Sequence, residues 1–122
     1  MKIITDQEKI SRHFSHIELA AGRWRELSLL EQMANIGSEV GRAILSREKE
    51  MGSRAEGAAY RALELFDFSL NDPKLFDRLR AIARAREVFA DFFFGENMTR
   101  STGDSLQKYF LDFAIAARRE RG

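Results

Sequence analysis

The sequence predicts an all-α fold, an up-and-down bundle of four main helices with an additional short N-terminal helix. Three observations favour this class. Apolar residues recur every three or four positions through most of the chain, which is the period of a buried helical stripe. Several of these stripes begin at a serine, threonine or aspartate. A glutamate or glutamine follows three residues later, which is the spacing of a capping box at a helix start. One proline and 8 glycines leave room for few long loops.

Length and composition indicate a single domain over residues 1–122. With 44% hydrophobic and 32% charged residues, the chain has the profile of a folded globular protein. We expect residues 1–23 to form the N-terminal helix and a linker, and residues 24–122 to form the four-helix core. The net charge of +1 gives no general attraction to nucleic acid or acidic lipid.

The absence of cysteine excludes disulfides, thiolate catalysis and cysteine-ligated metals, and it fits a reducing cytosol. No apolar run is long enough to span a bilayer, and the first 20 residues carry charges throughout, unlike a signal peptide. We therefore expect a cytoplasmic protein with no membrane contact.

Residues 5–21 are predicted to form the first helix, with Thr5 and Glu8 at capping-box spacing. His13 and His16 are the only histidines, and their spacing allows them to share one helix face. Because no third metal ligand is specified beside them, surface histidines are the favoured interpretation over a metal site. We predict no metal and no cofactor.

The chain is organised around residues 27–51, the longest amphipathic stretch. Ser28 and Glu31 have capping-box spacing, so the helix either begins there or continues from Trp24. Gly52 is expected to take the left-handed conformation that ends many helices. The apolar stripe consists of Leu30, Met33, Ala34, Gly37, Val40, Gly41 and Ile44.

Small residues within that stripe predict a close helix approach at Ala34, Gly37 and Gly41. An interior glycine costs roughly 1 kcal/mol relative to alanine, so two of them indicate that another backbone comes near. The approach can be a crossing within the monomer, with the alanine-rich start of the next helix as the expected neighbour, or a contact across a dimer.

Three further helices are predicted at residues 53–71, 74–94 and 104–120. The Asn71-Asp72-Pro73 sequence separates the first two of these, because proline disfavours a helical residue before it. The loop 95–103 separates the last two. Capping-box spacing predicts two of the helix starts, with Ser53 and Glu56 in one pair and Asp104 and Gln107 in the other.

The helix at 74–94 carries an arginine cluster that can contact phosphates, formed by Arg78, Arg80, Arg84 and Arg86. Asp77, Glu87 and Asp91 offset this charge, so a solvated mixed-charge face is the favoured interpretation. Arg86 falls on the core stripe and needs a carboxylate partner. The candidate partners are Glu39, Glu64 and Asp67.

Apolar residues on the last two helices exceed what one buried face can cover. Successive helical residues point about 100° apart, so the run Phe92-Phe93-Phe94 spreads over more than one face. The following loop or a partner subunit must therefore cover its end. On the last helix Leu111 and Ile115 form a second stripe. These observations predict a dimer interface at Phe92, Phe94, Leu111 and Ile115.

Residues 26–119 resemble a family of short, uncharacterised bacterial proteins. The runs that carry the resemblance are ELSLLEQMANIGSEVGRAI, RAEGAAYRALELFDFSLNDPK, RAREVFADFFFGEN and SLQKYFLDFAIAARR. More distantly the architecture looks like HEPN-type bundles, which pack as dimers and include both ribonucleases and non-catalytic partners of nucleotidyltransferases. The nuclease motif is Arg-x4–6-His. No arginine precedes His13 or His16 at that spacing, so the likeness implies the non-catalytic branch.

Three functions follow, in order of preference. The first is a non-enzymatic, homodimeric module that binds another macromolecule. The second is a protein that binds or processes nucleic acid through its arginines. The third is a carboxylate and histidine enzyme within the bundle, for which the carboxylate candidates are Glu39, Glu64, Asp67 and Asp91. It ranks last because the chain has no Glu-x-x-His pair, and no catalytic residue is assigned.

Overall fold

The structure is a computed structural model that describes residues 20–121. It confirms the predicted all-α bundle, and no strand occurs between residues 20 and 121. Residues 20–25 are helical, and the predicted helix at 5–21, with His13 and His16, lies almost wholly outside the described residues. The remaining elements are α1 (Leu29–Glu48), α2 (Gly52–Leu70), a 3-10 helix (Pro73–Arg78), α3 (Leu79–Phe94) and α4 (Gly103–Arg121).

The helix α1 is the centre of the bundle. It packs against α2 on one side and against α4 on the other, and α2 packs against α3. Gly103 at the start of α4 lies against Ile44 near the end of α1, while Phe110 lies against Gly37, so α4 runs antiparallel to α1. None of the described helices is long and apolar enough to cross a membrane.

The core forms around Phe66 of α2. Its ring centroid is 6.4 Å from that of Phe89 on α3 and 6.1 Å from that of Phe110 on α4, and such aromatic pairs stabilise beyond their buried area. Four alanines on α2 are buried where α1 approaches: Ala55, Ala58, Ala59 and Ala62. The small side chains let the two helix backbones come close.

The start of α1 is as the capping box predicts. The Ser28 hydroxyl accepts a hydrogen bond from the Glu31 backbone N–H, and the Glu31 carboxylate accepts one from the Ser28 N–H. A turn at residues 26–28 separates α1 from the helical residues 20–25, so the alternative of a helix continuing from Trp24 is wrong.

The corner between α1 and α2 differs from the prediction. Glu50, with φ of 58°, takes the left-handed conformation expected of Gly52, and Gly52 instead begins α2. Ser53 consequently lies inside the first turn of α2 and cannot cap it. The N-cap residue is Met51, which makes no side-chain capping hydrogen bond, so the predicted Ser53 and Glu56 capping box is wrong.

The later boundaries agree with the prediction in part. The helix α2 ends before Asn71, and the Asp72 carboxylate caps the 3-10 helix by accepting from the Lys74 N–H. The predicted helix 74–94 is divided at Arg78, the N-cap residue of α3 with φ of −112° and ψ of 2°, and Leu75 adds a kink within the preceding 3-10 helix. The helix α4 starts at Gly103, so the predicted cap, Asp104, lies inside its first turn. Thr102 and Ser105 instead exchange hydrogen bonds at this helix start.

Candidate interaction surfaces

The four residues of the predicted interface have different neighbours. On α4, Leu111 is 57% exposed and Ile115 is 43% exposed, and both lie beside α1. Phe94 at the end of α3 is 44% exposed, and its ring lies 5.3 Å from that of Tyr60 on α2. Phe92 is half-buried. The α4 pair and the α3 pair therefore belong to separate surfaces.

Arg47 of α1 covers part of the phenylalanine run at the end of α3. Its guanidinium carbon lies 4.9 Å from the ring centroid of Phe92 and 4.2 Å from that of Phe93. The same guanidinium donates to the carbonyl oxygens of Phe93, at 2.8 Å, and Phe92, at 3.3 Å. A cation at these last carbonyls stabilises the helix end, so α3 obtains its C-terminal cap from α1.

A shallow groove of about 290 Å³ runs along the outer side of α1 and α4. We use the name groove face for this groove together with the adjoining hollow at Ile115. Small residues form its floor, and larger apolar side chains flank it. One turn beyond the groove, a second hollow is bordered by Leu30, Asp112, Ile115, Ala116 and Arg119. The groove itself is lined by Ala34, Gly37, Ser38, Gly41, Leu45, Gln107, Phe110, Leu111 and Ala114.

The predicted small residues have distinct positions in this groove. A Cβ atom added at Gly37 would lie 2.5 Å from the Cβ of Phe110, so α4 approaches α1 closely at this glycine. The neighbour is therefore α4, and the expectation that the alanines of α2 would lie against this glycine is wrong. Gly41 has nothing within 4 Å of its added Cβ, and its missing side chain leaves the groove open. Ala34 is half-buried.

The arginines proposed for nucleic-acid contact are partly engaged within the protein. Arg86 donates from Nε to Asp67 Oδ1 at 2.9 Å, which confirms Asp67 among its three candidate partners. Arg84 lies 3.9 Å from Glu87. Arg78 and Arg80 are exposed and form no ion pair within residues 20–121.

The candidate catalytic carboxylates do not form a common site. Glu39 pairs with arginines on α1 and α2, Asp67 pairs with Arg86, and Glu64 is exposed. Asp91 holds the loop after α3, because the backbone N–H groups of Thr99 and Met98 donate to its carboxylate and keep the pKa of that group below its ordinary value. No cluster of three potential metal ligands exists among the described side chains.

A buried polar network joins Trp24, in the helical segment before α1, to Gln32 of α1 and to the end of α2. The Gln32 amide donates to Asp72 Oδ2 at 2.8 Å and to the Trp24 carbonyl at 3.1 Å. Its carbonyl accepts from the Ser69 hydroxyl at 2.7 Å, and Ser69 accepts from the Trp24 indole at 3.0 Å. We call these four residues the Gln32 joint.

Sequence patterns alone missed the joint, because Gln32 lies next to the apolar stripe and its partners are 37 and 40 residues away. Lys74 completes the network by pairing with the Asp72 carboxylate. Burial disfavours the charged carboxylate, but hydrogen bonds from Lys74 and Gln32 outweigh it, and the pKa of Asp72 lies below its ordinary value. Among the described residues, no buried side-chain polar atom lacks a partner, so the joint is satisfied within the chain.

Comparison with family models, with curated proteins and with solved structures finds no significant match to this chain. The functional argument therefore depends on the surfaces of the molecule.

Proposed function

We propose that this protein is a non-enzymatic, homodimeric helical module for macromolecular interactions, and that two copies associate through the groove face. The observation that carries the proposal is the row of large apolar side chains exposed along this face. Leu45 is 50% exposed, Leu111 57% and Ile115 43%. Water-exposed apolar surface of this kind favours association, because each apolar area removed from water lowers the free energy.

The shape of the groove suits a helix as its occupant. Ala34 and Gly41 give the floor no large side chains, so the backbone of an incoming helix can come near, as in other small-residue contacts. The apolar side chains of Leu111 and Ile115 would then be covered from outside. The chain offers such a helix itself, since α4 presents these residues outward.

Charges around Ile115 favour a second copy as the partner. Asp112 and Arg119 stand seven residues apart, so they lie on one side of α4, and both border the hollow that contains Ile115. In a twofold dimer whose α4 helices cross antiparallel near Ile115, Asp112 of one copy faces Arg119 of the partner subunit, and the pairing occurs twice. The same helix supplies apolar contact and complementary charge.

A dimer also agrees with the expectation from the sequence, whose distant resemblance to HEPN-type bundles implies dimeric packing. The proposed module is cytoplasmic, in keeping with a chain that contains no cysteine.

The test replaces Leu111 and Ile115 with serine and measures the mass in solution. We expect the unaltered protein at twice the chain mass of 14.0 kDa and the double variant at the single mass with an unchanged helical circular dichroism spectrum. Phe94→Ser is the matched control, because Phe94 is similarly exposed but lies beside Tyr60, and this variant should remain dimeric. A dimer that survives the Leu111 and Ile115 substitutions excludes the groove face as the interface.

A further inference from the structure

The corner between α1 and α2 contains a basic hollow of about 440 Å³, which we call the corner pocket. Its volume lies within the range of small-molecule sites, roughly 300–1,000 Å³. The residues that line it come from the last turns of α1 and the first turns of α2. Those with hydrogen-bonding side chains are Arg42, Ser46, Lys49, Ser53, Arg54 and Arg61.

The charged side chains that line the corner pocket are all cationic. Four of the side chains are cationic, and no carboxylate lines the pocket. Three acidic residues of the same corner, Glu48, Glu50 and Glu56, are exposed outside the lining. Even with the Glu39 carboxylate beside Arg42 and Arg61, cations outnumber carboxylates at this concave surface, so it attracts anions more strongly than scattered surface charges do.

Glu39 positions two of the cations. Its side chain is only 14% exposed, and its carboxylate lies 2.7 Å from Arg42 Nη1 and 3.3 Å from Arg61 Nε. One carboxylate thus holds two arginines of different helices at the edge of the pocket, while each guanidinium keeps other N–H donors for a ligand. Lys49 and Arg54 form no ion pair within the described residues, so their charges remain for a ligand.

The start of α2 adds to the positive potential. Met51, its N-cap residue, provides no side-chain hydrogen bond, and no acidic residue occupies the first turn. A 19-residue helix carries partial positive charge at its N-terminus, and anions are stabilised there. This contribution supplements the four cationic side chains on which the site depends.

We infer that the corner pocket binds a small organic molecule that carries two or more phosphate groups. Arginine and lysine form charge-assisted hydrogen bonds to phosphate oxygens, and arginine can do so with two parallel bonds. Lys49 and Arg54, together with the remaining N–H donors of Arg42 and Arg61, provide cationic donors for more than one phosphate group. Met51 also lines the pocket, and its exposed apolar side chain can contact the organic part of the ligand.

The inference is tested by calorimetric titration of the full chain at fixed ionic strength, with pyrophosphate and ADP as probes and adenosine as the uncharged control. The pocket variant is Lys49→Gln with Arg54→Gln, and the matched control is Arg78→Gln with Arg80→Gln. Both pairs are exposed and form no ion pair within residues 20–121, so both variants remove two charges without disturbing the core.

We expect ADP and pyrophosphate to bind the unaltered protein and adenosine to bind at least about tenfold more weakly. The pocket variant should weaken ADP binding about tenfold or more, because it removes two cations that form charge-assisted hydrogen bonds to phosphate. The control variant should bind as the unaltered protein does.

Three results would overturn the inference. One is the absence of heat with both phosphate probes at millimolar concentration. Another is an equal loss of affinity in the two variants, which indicates diffuse charge attraction. The third is binding of a single-stranded oligonucleotide that is tighter than ADP binding and depends on Arg78 and Arg80, which would assign phosphate contact to α3 instead. None of these results bears on the groove face, because both variants leave Leu111 and Ile115 unchanged.

Discussion

The Gln32 joint buries polar groups away from water, whereas the groove face exposes apolar groups to it. In the joint, polar groups of Trp24, Gln32 and Ser69 are buried, and each has a partner within the chain. On the groove face, the apolar groups of Leu111 and Ile115 remain exposed. The joint is complete within one chain and serves the fold, whereas in the proposed dimer a second copy covers the groove face. Substitutions in the two regions should therefore affect different measurements.

The largest expected effect is the loss of folding stability when Gln32 is replaced by leucine. The side chain would no longer bond Asp72, Ser69 or the Trp24 carbonyl, and each such hydrogen bond contributes about 0.5–1.5 kcal/mol. The Ser69 hydroxyl would also lose its acceptor, and a buried polar group without a partner costs about 1–3 kcal/mol. We expect the free energy of unfolding to fall by about 3 kcal/mol or more in urea denaturation. A loss below about 1 kcal/mol would show that the joint does not stabilise the fold.

A smaller effect separates the two glycines of the groove. Gly37→Ala places a Cβ atom 2.5 Å from the Phe110 Cβ, and such overpacking costs about 1–3 kcal/mol. Gly41→Ala meets nothing within 4 Å and should stabilise α1 by about 1 kcal/mol, because alanine favours helix. Thermal unfolding of the two variants measures the difference. Melting temperatures that shift in the same direction would contradict the described contact between α1 and α4.

The pH dependence of stability sharpens the account of the joint further. The pKa of Asp72 is lower in the folded protein than its ordinary value of 3.8, so its contribution to stability is present above about pH 4 and is lost as the pH falls through the folded-state pKa. Asp72→Asn should flatten the stability profile below pH 4 relative to the unaltered protein. Parallel profiles for the two proteins would show that Asp72 does not contribute this acid sensitivity.

The helices were predictable from sequence because their signals are local. The apolar period and the Ser28 and Glu31 capping box predict α1 from neighbouring residues alone. The errors occurred where a choice depends on distant atoms or on small energy differences. Glu50 rather than Gly52 takes the left-handed turn, and the predicted fourth helix is divided at Arg78.

The surfaces were predictable only in part. Excess apolar residues on α4 indicated that Leu111 and Ile115 form an exposed stripe, and both are exposed. The corner pocket was missed because its cations lie on two helices and the segment between them and are separated in sequence by up to 19 residues. Periodicity describes one helix at a time, so it could not show that Arg42 and Arg61 share the carboxylate of Glu39.

The central claim, that two copies associate through α4, is tested most directly by sedimentation equilibrium of charge-reversal variants. Asp112→Arg alone or Arg119→Asp alone places like charges opposite each other in the proposed dimer, which costs several kcal/mol at an interface. We expect each single variant to weaken dimerisation by more than about tenfold, and the double variant to recover it to within about tenfold. A double variant as weak as the single variants, or single variants that dimerise normally, would contradict the proposed antiparallel pairing of α4.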